Sequence, residues 1–167
     1  SKDLAVLVEG QMDVIASHHA GMKNVIDASG TSLTPDQVKL IKRYTTNVAV
    51  AFDADQAGIS AGKRGIEVAL KEGLAAKVIQ IPSGFAKDAD ECIKKDPSVW
   101  FEAVAHAESV MTWYIKITLA KYDLKVPEQK SEAVGDVLAQ LVNIPSAVER
   151  DEWIKKVSVE LGVEASI

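Results

Sequence analysis

The sequence predicts a parallel α/β sheet flanked by helices, followed by a small all-helical bundle. Three observations predict it. Four short apolar runs lie in the first half, helical patterns separate them, and strand patterning stops after Asp90. Leu4 to Val8, Val25 to Ala28, Val48 to Phe52 and Val78 to Ile81 read as strands buried on both faces. Between them, Met12 to Ala20, Pro35 to Tyr44 and Ala57 to Glu72 read as helices. Thr34 is placed as an N-cap, Pro35 at the first helical position and Gln37 to complete a capping box. Gly21 and Gly73 sit where helices should stop. Strand–helix–strand repetition with short links implies right-handed crossovers and a parallel sheet.

Beyond Asp90, Pro97 opens one long predicted helix with Trp100, Val104, Ala107, Met111, Tyr114 and Thr118 on its apolar face. Val134, Val137, Leu138 and Leu141 mark a second helix, ended near Pro145. Ser146 and Glu149 suit a capping box for a third, which carries Trp153, Ile154, Val157 and Leu161 and closes at Gly162. The expected domains are therefore 1–95 and 96–167, with all three tryptophans in the core of the helical half.

The 167 residues suit one or two compact units, and 47% hydrophobic with 26% charged residues describes an ordinary globular chain. No apolar run approaches the roughly 20 residues that span a bilayer. Cys92 is the single cysteine, which excludes a disulfide framework and agrees with a reducing cytoplasm. Ser1-Lys2-Asp3 leads straight into the first apolar run without an initiating Met, as expected of an excised fragment. The net charge of −5 argues against a generic nucleic-acid binder, whose grip comes from Lys and Arg on phosphates. It suits a site that concentrates carboxylates to hold divalent cations, with any basic groove lying elsewhere.

Open parallel sheets bind ligands beyond the carboxyl ends of their strands. Glu9 follows the first predicted strand, and Asp53 and Asp55 follow the third. Asp88 and Asp90 come several residues after the fourth, and Asp13 lies one turn into the first helix. Carboxylates are hard donors that suit Mg²⁺, which keeps several waters and accepts substrate phosphates. Gly58 and its small neighbours allow the bend that would aim Asp53 and Asp55 at one ion. With no cation, a like-charge pair at about 5 Å and an effective dielectric of about 20 costs about 3 kcal/mol. For any one of these acids, a turn or helix N-cap is the plain alternative.

As a set, these residues resemble a known family. Val8-Glu9-Gly10-Gln11-Met12-Asp13-Val14 resembles the first motif of the toprim domain, in the form typical of bacterial DnaG-type primases. Gly30-Thr31-Ser32-Leu33-Thr34 resembles the loop after the second strand of those enzymes. Phe52-Asp53-Ala54-Asp55-Gln56-Ala57-Gly58 resembles the toprim Asp-x-Asp motif. Arg64 stands where a basic residue of the next helix is usual, and Asp88-Ala89-Asp90 replaces a usual Asp-Pro-Asp. Val126 to Lys130 and Ile144 to Val163 are similar to the helical subdomain that follows toprim.

The resemblance implies that Glu9 acts as general base or metal ligand and that Asp53 and Asp55 hold catalytic Mg²⁺ or Mn²⁺. It gives Asp13, Asp88 and Asp90 the outer metal positions. The implied reaction is ribonucleotide transfer on a single-stranded DNA template, from ribonucleoside triphosphates, in the bacterial cytoplasm at the replication fork. The family also has an N-terminal zinc-binding domain, a basic subdomain before toprim and a C-terminal helicase-interacting domain. None of these is visible here, so zinc and the replicative helicase are expected to bind outside these residues, and the fragment alone should be weakly active or inactive. Lys63, Arg64, Thr31 and Ser32 are candidates for nucleotide or phosphate contact, with a solvated face or turn chemistry as the alternatives. His18 and His19 are adjacent and lack a partner at ligand spacing. Two other readings stay open: a toprim nuclease or topoisomerase-like strand-cleaving module, for which Tyr44, Tyr114 and Tyr122 offer no motif, and a non-catalytic metal-binding scaffold.

Overall fold

A computed structural model describes residues 3–27, 33–51, 56–142, 144 and 146–163, with the side chains of 56–61 outside the description. The expected strand ends at Ala28 and Phe52, and the stop at Pro145, lie outside the described residues. The chain folds as two compact units, Ser1–Val110 and Met111–Ile167.

In the first unit the described strands form one sheet in the order β2-β1-β3-β4-β5. Strands β1 (Ala5–Val8) and β3 (Asn47–Val50) pair in parallel at its centre, with Ala5 opposite Val48 and Leu7 opposite Val50. Each buries its last three residues, as a strand covered on both faces must. Strand β2 (Val25–Asp27) pairs in parallel with β1. Helix α1 (Gln11–His19) connects β1 to β2, and His18 Nε2 lies 3.0 Å from the Val25 carbonyl oxygen, a packing role and not a ligand's. Helix α2 (Pro35–Ile41) starts as its sequence dictates: Thr34 Oγ1 accepts from the Gln37 N–H, and Gln37 Oε1 accepts from the Thr34 N–H. Helix α3 (Gln56–Lys71) stops at Gly73, whose φ of 79° is costly for a residue with a Cβ.

Strand β4 (Ala75–Val78) is three residues earlier than the apolar run predicts. Gly73 reverses the chain so tightly that Ala75 already donates to Thr46 O at 2.8 Å. Ala75 and Lys77 are exposed, so β4 does not have the two buried faces expected of it. Helices α4 (Ala89–Lys95) and α5 (Pro97–Ala105) follow. The long helix predicted from Pro97 is broken: α5 ends at His106, and β5 (Glu108–Ser109) pairs antiparallel with β4 before α6 (Val110–Leu119) begins. A two-residue strand is too short to leave an alternating pattern in the sequence, and its antiparallel pairing makes the sheet mixed.

Trp100 is fully buried among Cys92, Ile93, Val104 and the sheet residues Val6 and Val8, so it belongs to this core and not to the helical half. By packing, the first unit therefore extends past the patterning boundary at residue 95.

In the second unit, α6 is followed by α7 (Pro127–Leu141) and α8 (Ala147–Leu161). Ile115, Leu119, Val137, Leu141, Val157 and Leu161 form its core, with Trp153 packed against it. Ser146 Oγ accepts from the Glu149 N–H, and Gly162 closes α8 in the left-handed conformation, φ 58°. Among the described residues no helix is long and apolar enough to cross a membrane.

Trp100→Ala should lower the stability of the sheet unit by about 3–5 kcal/mol, the usual cost of emptying a buried tryptophan site. Urea denaturation checks this, with the half-buried Trp153→Ala expected to cost less.

Candidate metal centre

The site is built where β1 ends. Val8 is buried, Glu9 leaves the sheet, and Gly10 stays extended, φ −126° and ψ 151°, as the N-cap of α1. The Gly10 N–H donates to Asp13 Oδ2 at 3.2 Å. A Cβ on Gly10 would itself lie 3.2 Å from that oxygen, so glycine eases the close approach of the turn to the carboxylate.

Asp13 is 7% exposed, and its other oxygen, Oδ1, accepts from the Asp90 N–H at 2.8 Å. This bond crosses from α1 to the first turn of α4 and spans 77 residues of sequence. Asp88 caps α4: its Oδ1 accepts from the Glu91 N–H at 2.7 Å, and Lys87 Nζ lies 3.4 Å from its Oδ2. Asp90 Oδ2 pairs with Lys94 Nζ at 2.6 Å.

Glu9, Asp13 and Asp88 line one small cleft together with Val8, Ala51 and Ile81. Ala51 directly follows β3, and its N–H donates to Leu7 O at 2.8 Å, so the cleft opens at the shared carboxyl ends of β1 and β3. Asp90 is not part of that lining. Asp53 and Asp55 lie outside the described residues, as do Thr31 and Ser32. Lys63 is half-buried and Arg64 exposed on α3, whose Gly65 closely approaches Leu33, the residue after Ser32.

Burial raises the pKa of Asp13 above the usual aspartate value, and the charges of Asp88 and Asp90 push it the same way against two stabilising backbone N–H bonds. The cleft therefore holds more negative charge than its surroundings favour. Hard oxygen donors with surplus negative charge fit Mg²⁺ or Mn²⁺. The fit is incomplete: among the described residues no group of three or more His, Cys, Asp or Glu side chains gathers closely enough to hold a metal ion.

The N-cap alternative held open for each acid is what Asp88 adopts, with Glu three residues later as its local signature. One feature had no such signal. The Asp13–Asp90 bond joins distant segments and leaves no local signal.

A sheet with a cleft lined by Glu9, Asp13 and Asp88 beyond the carboxyl end of β1 defines a class, and comparison with known proteins gives it a name. Residues 6–93 match the family described as toprim-like, and the chain belongs to that family. Within it, the similar proteins are DNA primases of the DnaG type. The chain is 36% identical over 162 residues to a DNA primase of Clostridium acetobutylicum, covering 96% of this chain and 27% of that protein. It thus spans about a quarter of that relative's length.

Its fold is similar to the RNA polymerase domain of the Mycobacterium tuberculosis primase DnaG in complex with double-stranded DNA. There the TM-score is 0.78 at 25% identity, over 97% of this chain and 52% of that one. It is also similar to a DnaG primase catalytic domain bound to single-stranded DNA, with a TM-score of 0.75 at 26% identity, over 98% of this chain and 52% of that one. Residues 111–166 match the family described as the DnaB-helicase binding domain of primase. The helicase-binding description thus falls on the helical unit of this chain, a part to which the sequence reading assigned no partner.

Asp13 also fixes a pH dependence. Its folded pKa is raised, so its contribution to stability is fully present below the unfolded value near 3.8 and is lost as pH rises through the folded value. Carboxyl-carbon NMR should give Asp13 a midpoint above 3.8 in metal-free buffer; a midpoint at or below it contradicts the burial argument.

Proposed function

We propose that this chain is the metal-holding part of a DNA primase catalytic core, with the helical segment that follows it. Such a core joins ribonucleotides on a single-stranded DNA template. The observation that carries the reading is the cleft lined by Glu9, Asp13 and Asp88 at the carboxyl end of β1, beside the end of β3. It occurs in a chain whose toprim-like region runs on into a primase-type helical unit.

In this reading Glu9, Asp53 and Asp55 hold Mg²⁺ or Mn²⁺, and Asp88 and Asp90 serve the outer metal positions. The chemistry a bound dication supplies is a lowered pKa for the attacking 3′-hydroxyl and neutralisation of charge on the leaving oxygens. Glu9, which lines the cleft, would take the hydroxyl proton as the hydroxyl oxygen bonds to the α-phosphate of the next nucleotide and pyrophosphate departs. Lys63 and Arg64 on α3, with Thr31 and Ser32, contact the nucleotide phosphates.

The net charge of −5 leaves little electrostatic grip on a template, so a basic surface beyond these residues supplies it. The single-stranded DNA held by one similar catalytic domain supports that substrate, and the match over residues 111–166 supports a replicative helicase as partner.

Thermal melts test the metal reading. Mn²⁺ at a hundredfold over its Kd should stabilise the chain by about 2.7 kcal/mol, because it binds the folded state alone. Asp53→Asn or Asp55→Asn should remove most of that gain; identical melts for all three proteins at millimolar Mn²⁺ end the assignment. Primer synthesis on single-stranded DNA by a longer protein that carries the upstream basic region tests the activity. Product should form there and vanish with Glu9→Gln.

A further inference from the structure

Asp13 differs from the other acids of the cleft in what its carboxylate already does. Both oxygens are engaged, and both partners are backbone amides of acid-bearing segments. Oδ2 accepts from the Glu9–Gly10 peptide, and Oδ1 accepts from the Ala89–Asp90 peptide. The residue is 7% exposed, and one turn further along the same helix Ser17 is completely buried, so this face of α1 is packed and not free to swing toward solvent. A Cβ at Gly10 would sit 3.2 Å from the carboxylate oxygen, a tight contact that would shift the tie by a few tenths of an ångström. At the far end of the tie, Asp88 is fixed by capping α4, which leaves the start of that helix little freedom.

We propose that Asp13 is a positioning residue: its carboxylate ties the turn carrying Glu9 to the start of the helix carrying Asp88 and Asp90. It thereby sets the spacing of two acid-bearing segments and does not itself ligate the cation. The inference deepens the metal reading and rests on it for its purpose, though the tie itself stands on hydrogen-bond geometry alone. A residue that orients ligands from behind them changes metal affinity by roughly 10- to 100-fold without changing how many ions bind.

The test uses the chain as it is, with amide hydrogen exchange read by NMR in metal-free buffer and Mn²⁺ binding counted by electron paramagnetic resonance. In the wild type the Gly10 and Asp90 amides should both be protected without metal. Asp13→Ala should release both, by tenfold or more. Asp13→Asn, the milder variant should the alanine form fail to fold, keeps one acceptor oxygen and should release one amide of the two. Both variants should bind the same number of Mn²⁺ ions as the wild type, about tenfold more weakly.

Glu9→Gln is the contrasting case: its Mn²⁺ binding should fall while the Gly10 and Asp90 amides stay protected. Fast exchange of both amides in the wild type overturns the proposal. So does an Asp13→Asn protein that loses an ion while both amides remain protected, since that is how a direct ligand behaves. A wild type that takes up no Mn²⁺ sinks the metal reading alone, and amide exchange then still decides whether the tie exists.

Discussion

Parallel pairing of β1 with β3 brings the carboxyl ends of two strands, separated by about forty residues of chain, to one edge of the sheet. Everything at the cleft follows from that constraint. Glu9 leaves the sheet beside Ala51 because Val6 is in register with Ala49 and Leu7 with Val50. A one-residue slip would turn every side chain of β1 to the opposite face and undo the packing on both sides of the sheet. The burial of Val6 and Val8 thus holds the acids in place as much as any polar contact does. Against this stands the cost of keeping a carboxylate in the packed site. Burial first, and the charges of Asp88 and Asp90 after it, raise the pKa of Asp13, while Lys87 and Lys94 pair with those two neighbours.

The parts of the fold readable in the sequence are those set by local chemistry. Thr34, Pro35 and Gln37 specify a helix start, and Gly73 and Gly162 specify stops, each through backbone groups within a few residues. The central strands were readable because being covered on both faces demands a run of apolar residues. Strand β4 was displaced by three residues because it is not so covered: Ala75 and Lys77 face outward, and the apolar run that drew attention begins where the strand ends. Neither β5 nor the place of Trp100 could be read, since both depend on which distant surface a segment meets.

The site shows the same division. Glu9, Asp13 and Asp88 were singled out individually, and they share one cleft. What each carboxylate does there was less legible. Asp88 combines a helix cap with a place in the cleft, so the plain structural reading and the functional one describe the same residue. Asp90 contributes its backbone to Asp13 and its side chain to Lys94, a pairing that helical spacing of four residues favours. Asp53 and Asp55 rest on their motif, and the family match over residues 6–93 includes them.

Among the described residues the outermost strands are short, and that bears on how the sheet meets other chains. An open sheet presents unpaired amides and carbonyls along each border, and those borders invite another chain to add on. Here one flank ends in the two residues Glu108–Ser109 and the other in the three residues Val25–Asp27. Among the described residues neither offers a long ladder to a foreign strand, and Asp27 adds a charge to the second. Short borders and that charge both disfavour edge-to-edge addition of another chain.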